Sequence, residues 1–142
     1  MKAQAIGPAD AQFAAMQAEL RAAGLLTSDL LEGDARYFAF DPHGFGGFVR
    51  LGDHALLRSI VVREERRGHG AGAEILNVLL AEACALGCDE IWLLTTSADA
   101  FFARRGFAPV PRAEAPAAIA ATGQFKELCP DSAVLMRRRL SS

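Results

Sequence analysis

The spacing of apolar residues predicts that the chain begins with a strand and a helix. A typical N-cap residue, Asp10, precedes apolar residues at helical spacing, and Gly24 follows them, so a helix is predicted between these two positions. A short strand is predicted before it at 3–6, and a second short helix after it at 27–32. The apolar stripe of the first helix consists of Phe13, Met16 and Leu20.

From residue 36 the pattern changes to aromatic-rich segments separated by turn residues. Such segments predict three strands joined as an antiparallel meander. The first connection, DPHG at 41–44, contains a proline, which fixes φ, and a glycine, which tolerates positive φ. The predicted strands are 36–40, 45–51 and 55–62.

The second half alternates helices and strands. A long helix is predicted at 72–86 after a glycine-rich connection, and a continuously apolar strand at 91–95 follows it. The order predicts a single α/β (α+β) domain over 1–142, with one mixed sheet and helices on both sides. The remaining predicted elements are a helix at 98–105, strands at 107–110 and 133–138, and a short helix near 116–121. The stripe of the long helix is predicted to be Leu76, Leu80 and Cys84 beside Ile75, Leu79 and Ala83.

Composition and charge narrow the classes of function. The chain is 51% hydrophobic and 23% charged, close to an average globular domain. Its net charge of −2, without a basic run, argues against nucleic-acid binding. No apolar run approaches the roughly 18 residues that a membrane span needs. Three cysteines, an odd and low number, predict a reduced, cytoplasmic protein.

The segment SIVVREERRGHGAG at 59–72 carries the strongest chemical signal. A diphosphate needs converging N–H donors and positive potential. A glycine-rich strand-to-helix connection supplies the donors, because missing Cβ atoms let the backbone approach and the helix start adds unpaired N–H groups. Neither GxxxxGK[ST] nor GxGxxG is present; the motif is R-x-x-G-x-G at 67–72. Local positive charge can come from Arg63, Arg66, Arg67 and His69.

This motif and its flanks resemble the GNAT acetyltransferase superfamily, whose diphosphate loop follows [Q/R]-x-x-G-x-[G/A]. The strand RSIVV precedes the motif, an Ala/Leu helix follows it, and FFARRGF at 101–107 is similar to the superfamily's FYxxxGF segment. The resemblance implies a GNAT-like, mostly antiparallel mixed sheet of six to seven strands flanked by helices. It also implies acetyl-CoA as cosubstrate, no metal, and an amine of a small molecule as acceptor. The cofactor-binding positions that it implies are Ile60, Val61, Val62, Arg67, Gly68, His69, Gly70, Ala71, Gly72, Phe101 and Phe102.

The resemblance also implies how the thioester is held. In the superfamily, the strand before the loop splays from its neighbour, and its freed backbone groups bind the pantetheine arm. We expect a bulge near Ser59, which interrupts the apolar pattern. The tyrosine that often acts as general acid is replaced here by Phe102. Hydroxyls that could bond the sulfur instead belong to Thr95, Thr96 and Ser97, although helix capping by Ser97 is an equally good interpretation. No residue stands out as general base.

The last third of the chain bears on the acceptor. The segments LLTT, AFFARRGF, APAAI and LCPDSAV, within residues 93–136, resemble the arsenic-resistance N-acetyltransferases. That resemblance implies acetylation of an amino group, with an organoarsenical amino acid as one candidate. A carboxylate on such an acceptor would need a cation, for which the candidates by position are Arg36, Arg104 and Arg112. The sequence leaves open whether the protein is a monomer or a homodimer.

Two other functions remain open. Phe102 at the tyrosine position fits a CoA-binding sensor or partner module with weak or no catalysis. The cysteines Cys84, Cys88 and Cys129 could form a thiol site for trivalent arsenic, because soft metalloids favour thiolates. The stripe of the long helix instead predicts that Cys84 is buried in the core, as free cysteines usually are.

Overall fold

Seven strands form one mixed, mostly antiparallel sheet, as predicted. The computed structural model describes residues 2–25, 27, 30–31, 33–127 and 133–140. Its strands are β1 (Lys2–Ile6), β2 (Asp34–Asp41), β3 (Gly44–Leu51), β4 (His54–Val62), β5 (Glu90–Thr95), β6 (Ala108–Pro109) and β7 (Val134–Arg139). Their order is β1-β2-β3-β4-β5-β7-β6, and only β4 and β5 run parallel to each other. The predicted meander is β2, β3 and β4.

Helices cover both faces of this sheet. They are α1 (Ala11–Ala22), α2 (Ala71–Ala85), α3 (Asp99–Ala103), α4 (Ala117–Ala120) and α5 (Gly123–Glu127). On one face, α2 and α3 pack on the core that contains Phe38, Phe40 and Leu57. On the other face, α1 packs around Tyr37 and Val61, and α4 and α5 lie farther along on Leu56 and Trp92. Neighbouring residues of β2 and of β4 therefore point to opposite faces, as strand geometry requires.

The connection between β5 and β7 differs from the prediction. The strand predicted at 107–110 is reduced to β6, because Pro109 and Pro111 supply no N–H donor to a ladder. Between β6 and β7 the sequence predicts one short helix, and α4 confirms it. The structure adds α5, which begins at a glycine and is too short to show an apolar period.

The second helix predicted at 27–32 is not found in the described part of that segment. Thr27, Leu30 and Leu31 lie outside helices, while 26, 28, 29 and 32 lie outside the described residues. Leu30 is held by tertiary contacts instead. It is buried against α1, and its carbonyl accepts a 2.6 Å hydrogen bond from the hydroxyl of Tyr37.

The predicted burial of Cys84 is wrong. The apolar face of α2 consists of the predicted residues together with Ala71, but Cys84 is exposed. The stripe turns with the helix, so that Ala83 takes the last buried position and Cys84 falls on the solvent side. Cys88 is the buried cysteine, and burial raises the pKa of its thiol. Cys129 lies outside the described residues.

Candidate functional site

β4 and β5 pair only at their beginnings, and a cleft opens beyond that point. Their parallel ladder ends at Leu56, opposite Trp92. β5 stays paired with β7 along its whole length, so that the opening is confined to the β4 side. The cleft has a volume of about 440 Å³ and is lined by the second half of β4, by the end of β5 and by α3.

A β-bulge lies where β4 leaves β5. Phe45 of β3 pairs with Val61 of β4, and the next pair is Gly47 with Arg58. The two pairs are two residues apart on β3 but three residues apart on β4, so that β4 contains one extra residue. The extra residue lies at Ser59, which has a positive φ of 60°. Such a conformation is uncommon for a residue other than glycine and is typical of sites where surrounding structure fixes the backbone. The bulge expected near Ser59 is therefore confirmed.

A second hollow, of about 410 Å³, lies at the start of α2. The glycine-rich connection forms its wall, and Gly68 and Gly70 adopt left-handed conformations with φ of 82° and 80°. Among the described residues none accepts a hydrogen bond from the N–H groups of residues 68–73, as expected at the first turn of a helix. Three guanidinium groups contribute to the lining, from Arg66, Arg67 and Arg105. The hollow thus combines free N–H donors with positive charge.

The two hollows join into one continuous site. Four residues line both of them: Val62, Arg67, Gly72 and Phe101. The side chain of Arg67 is fixed by a 3.1 Å hydrogen bond from its Nε to the carbonyl oxygen of Val62, at the end of β4. A ligand can therefore extend from the start of α2 into the gap between β4 and β5.

Most of the predicted cofactor positions line this site. Ile60, Val61 and Val62 lie along the cleft, while Gly68, Gly70 and Ala71 lie at the second hollow. His69 does not: its side chain is exposed, and it lines neither hollow. Arg63 also lies elsewhere, with its guanidinium 5.3 Å from the ring centroid of Phe45.

Two phenylalanines form the α3 side of the site. Phe102, at the position of the missing tyrosine, is buried and lines the cleft. Phe101 stands edge-on to it and lies under the guanidinium of Arg105, 3.9 Å from Cζ to the ring centroid. Nη1 of Arg105 also donates a 2.9 Å hydrogen bond to the carbonyl of Phe101, which holds the cation beside the ring.

The three predicted hydroxyl residues all line the cleft, but they differ in their bonds. Oγ1 of Thr95 accepts hydrogen bonds from the N–H groups of Ser97 and Ala98, at 3.4 and 2.9 Å. Thr95 therefore closes the turn that leads into α3, and the predicted capping by Ser97 is wrong, because the N-cap of this helix is Ala98, which makes no side-chain capping bond. Thr96 and Ser97 are exposed at the mouth of the cleft.

None of the arginines predicted for the acceptor belongs to the cleft lining. Arg36 forms an ion pair with Asp34 on β2, at 3.3 Å. Arg104 is exposed beyond the end of α3. Arg112 holds α5, since it donates a 2.8 Å hydrogen bond to the carbonyl of Phe125 and stacks 4.1 Å from that residue's ring centroid.

Sequence reasoning missed two buried polar residues that do line the cleft, Arg58 and Gln124. Arg58 precedes the bulge in a strand, where a lone charge is not distinctive. Gln124 belongs to the unpredicted α5. The available signal was the charge inside the otherwise apolar run LLRSIVV.

Within the described ranges, no group of three or more His, Cys, Asp or Glu side chains is arranged to hold a metal ion. In the same part of the chain, no helix is both long and apolar enough to cross a bilayer. The glutamates at the loop mouth, Glu64 and Glu65, are exposed.

A family model matches most of the chain. The model is that of the acetyltransferase (GNAT) family, and it matches residues 11–107. This range contains α1, the meander, the glycine-rich connection, β5 and α3. No curated protein matches the chain in sequence.

Solved structures share the fold. An N-acetylglutamate synthase from Neisseria gonorrhoeae, complexed with coenzyme A and L-arginine, has a TM-score of 0.75 at 18% identity, over 99% of this chain and 34% of the synthase. The chain thus spans about a third of that enzyme. The same synthase has also been solved with coenzyme A and N-acetyl-glutamate, with a TM-score of 0.74, 17% identity, and 100% of this chain and 36% of that chain covered.

Two shorter proteins match along nearly their whole length. A GNAT-family acetyltransferase from Staphylococcus aureus has a TM-score of 0.74 at 17% identity, over 99% of this chain and 100% of that chain. Rv2747 from Mycobacterium tuberculosis, solved in complex with CoA, has a TM-score of 0.74 at 20% identity, over 97% of this chain and 99% of that chain. At such identities the likeness shows a common fold.

Proposed function

Because this chain belongs to the GNAT family of acetyltransferases, we propose that it transfers the acetyl group of acetyl-CoA to the amino group of a small molecule. The observation that carries the proposal is the hollow at the start of α2. There, unpaired N–H groups of residues 68–73 and the guanidinium groups of Arg66, Arg67 and Arg105 converge. Free donors at a helix start, together with positive charge, are what a diphosphate requires.

The rest of the donor site follows from the continuity of the two hollows. In the proposal, the backbone groups of Ile60, Val61 and Val62, on the edge that β5 leaves unpaired, bind the pantetheine arm. Phe101 and Phe102 provide the apolar wall beside it. The imidazole of His69 is left out, because it lines neither hollow.

The transfer needs little more than orientation, since a thioester is already activated. The nitrogen lone pair of the neutral amine attacks the thioester carbonyl, the C–S bond breaks, and CoA leaves as a thiolate. The amine loses its proton to solvent, and the thiolate takes one up. Thr96 and Ser97, whose hydroxyls lie at the mouth of the cleft, are proposed to hydrogen-bond the departing sulfur directly or through water.

We propose that the acceptor resembles an amino acid. The solved N-acetylglutamate synthase, crystallised with N-acetyl-glutamate, supports this class by its shared fold. An organoarsenical amino acid is the narrower candidate, supported by the pattern of residues 93–136; part of that pattern, at 128–132, lies outside the described residues. A reduced, cytoplasmic setting fits the low cysteine number.

Residues 1–142 are proposed to act as one domain, because β7 completes the sheet beyond the matched family region.

Gly70 is the residue on which the donor site can be tested. Gly70→Glu places a carboxylate at the hollow, and we expect it to weaken CoA binding at least about 100-fold by charge repulsion and by filling the space. Gly52→Glu is the matched control, because Gly52 also has a positive φ, of 63°, and nothing within 4 Å of an added Cβ, but lies in the β3–β4 turn. Calorimetry with CoA measures both variants. Equal affinities in the two would show that the diphosphate does not bind at this hollow.

Phe102 favours a second function, a CoA-binding sensor without catalysis. A phenyl ring cannot donate a proton to the leaving thiolate. Thiol release from acetyl-CoA, followed with a panel of amines that includes amino acids and arsinate- or phosphonate-bearing analogues, separates the two functions. Release that depends on the amine identifies the enzyme, whereas CoA binding without release across the panel identifies the sensor.

A further inference from the structure

Gln124 is a buried amide that lines the cleft. Only 8% of the residue is exposed, and its Oε1 has no hydrogen-bond partner among the described residues. A primary amide carries one acceptor oxygen and a nitrogen with two donors, and burying such a group without partners is unfavourable. An unpaired polar group at the wall of a ligand-sized cleft therefore points to a ligand that supplies the missing hydrogen bond.

The backbone on both sides of Gln124 is fixed. Before it, Oγ1 of Thr122 donates a 2.7 Å hydrogen bond to the carbonyl of Ile119 and accepts a 3.2 Å one from the N–H of Phe125. After it, the carbonyl of Phe125 accepts a 2.8 Å hydrogen bond from Arg112, whose guanidinium also lies 4.1 Å from the ring centroid of Phe125. The amide is therefore held at the cleft in advance, which lowers the cost of ordering it around a ligand.

Gln124 reaches the cleft from the side opposite α2. On β5, Leu93 packs in the core with α2, whereas Leu94 packs with Ile119 and Phe125 of the α4 and α5 side. The positively charged hollow lies at the start of α2, so it and Gln124 lie on opposite faces of the sheet. Because α5 covers the sheet rather than forming part of it, Gln124 is placed to contact a part of the acceptor away from the gap in which the thioester would lie.

The wall to which Gln124 belongs is otherwise apolar. On this face, the end of α1 contributes Ala23, Gly24 and Leu25 to the cleft, and these have no polar side-chain atoms. Gln124 is thus the single polar side chain that the helices of this face add to the described lining. One polar group in an apolar wall is typical of sites that select and orient a small molecule.

We propose that Gln124 determines acceptor specificity by hydrogen-bonding a neutral polar group of the acceptor, a hydroxyl or a carboxamide, that is separate from the amine being acetylated. This role rests on the proposed function. A hydroxyl or a carboxamide can donate to Oε1 and accept from Nε2, whereas a carboxylate can only accept. A site built to bind such a group discriminates against the analogue that lacks it, because its own buried polar atoms are then left unpaired.

The test uses acceptor pairs that differ in this one group: ethanolamine and ethylamine, L-serine and L-alanine, L-glutamine and L-norvaline. The wild-type protein should have the higher kcat/KM for the polar member of at least one pair. Gln124→Leu keeps the approximate size of the side chain but removes both polar atoms, and it should lower that preference about 10- to 100-fold. The KM for acetyl-CoA should stay nearly unchanged. Because a hydroxyl also lowers the pKa of the amine, each preference is compared between the two proteins, where this contribution cancels.

Two further variants serve as controls. Gln4→Leu makes the same substitution at an exposed position of the edge strand β1 and should leave every preference unchanged. Gln124→Glu keeps an oxygen acceptor at the same distance along the side chain and should retain the preference for a hydroxyl.

A purely structural role of Gln124 would give a different result. Gln124→Leu should melt at or above the wild-type temperature, because it replaces an unpaired buried polar group by an apolar one. Equal losses of activity on both members of every pair, together with a lower melting temperature, would overturn the proposal, and so would an unchanged preference. If this variant does not fold, Gln124→Met takes its place, since the methionine side chain is equally apolar and adapts to irregular gaps.

Failure of the proposed function has a separate signature. If no amine is acetylated although CoA binds, the acetyltransferase proposal fails. The role of Gln124 is then decided by calorimetry of the same pairs with the protein saturated with CoA. The polar member of a pair must bind more tightly than its partner, and Gln124→Leu must remove that difference. Equal affinities for both members, or no binding of either to the wild-type protein, would refute the inference.

Discussion

Phe102 brings a phenyl ring to the position in the cleft where the GNAT superfamily often has a tyrosine. The polar groups of the described cleft lining are arginines, hydroxyls and one amide. None of these described lining residues is an Asp, Glu, His or Tyr, the side chains that usually accept a proton in catalysis. The cleft can orient an amine and a thioester, but its described lining offers no general base.

The pH dependence should therefore follow the acceptor rather than the protein. We expect kcat/KM to rise with pH until the acceptor amine is deprotonated, because only the neutral amine is a nucleophile. The α-amino group of an amino-acid amide, with a pKa of about 8, should level off some two pH units below an alkylamine near 10.4. Rates measured with L-alaninamide and ethylamine from pH 6 to 10.5 check this. An inflection at the same pH for both acceptors would instead reveal a titrating group of the protein.

At this scale, the sequence predicts backbone positions better than side-chain roles. The motif at 67–72 fixes glycines and a helix start, and these form the predicted hollow. Whether an arginine faces a cleft depends on distant partners: Arg112 is held by Phe125, whereas Arg58 lines the gap that opens where β4 and β5 cease to pair. Neither contact is encoded in local spacing, which is why the predicted acceptor arginines and the cleft arginine differ.

Among the elements, the long and strongly periodic ones follow from the sequence. The meander and α2 have clear periods, and Ser59 interrupts an apolar strand where the bulge occurs. Short elements are decided by tertiary packing. α5 has five residues, and Leu30 is fixed by contacts with Tyr37 and α1 rather than by helix propensity. Local patterns carry little information on either.

The turn that leads into α3 gives a prediction at this scale. Thr95→Val removes the oxygen that accepts hydrogen bonds from the N–H groups of Ser97 and Ala98 while keeping the shape of the side chain. We expect the free energy of unfolding to fall by about 1 kcal/mol, the usual effect of losing such hydrogen bonds, and the melting temperature to fall by about 3 °C. Thr96→Val, at an exposed neighbouring position, should change the free energy of unfolding by no more than about 0.5 kcal/mol.

Thermal unfolding of both variants, followed by circular dichroism, makes this comparison. In the same samples, kcat distinguishes a structural role in the turn from a role in catalysis. If Thr95→Val lowered kcat strongly with no loss of stability, the hydroxyl would act on the reacting sulfur, and its role in the turn would be secondary.

For the whole molecule, the gap between β4 and β5 predicts strong stabilisation by the cosubstrate. CoA binding in the gap would join two parts of the sheet that share only a three-residue ladder, from His54 to Leu56. A ligand at 100 times its Kd adds about 2.7 kcal/mol to a protein that binds it only when folded, so we expect a rise in melting temperature of about 5 to 10 °C.

Differential scanning calorimetry over a range of CoA concentrations measures that rise. Adenosine alone is a suitable control, because it lacks both the diphosphate and the pantetheine arm and should stabilise far less. A melting temperature independent of CoA concentration would contradict binding to the folded protein.

The gap between β4 and β5 also has two unlike walls, with a consequence for how this protein can diverge. Along β4 the pantetheine arm would meet backbone peptide groups. These groups stay in place whichever side chain is substituted, unless the new residue is proline. In the proposed function, the amine would instead meet side chains of the cleft lining, such as those of Thr96 and Ser97, that a single codon change can replace. Under that function, descendants of this sequence should exchange the amine that they accept long before they lose the acyl carrier that they draw on.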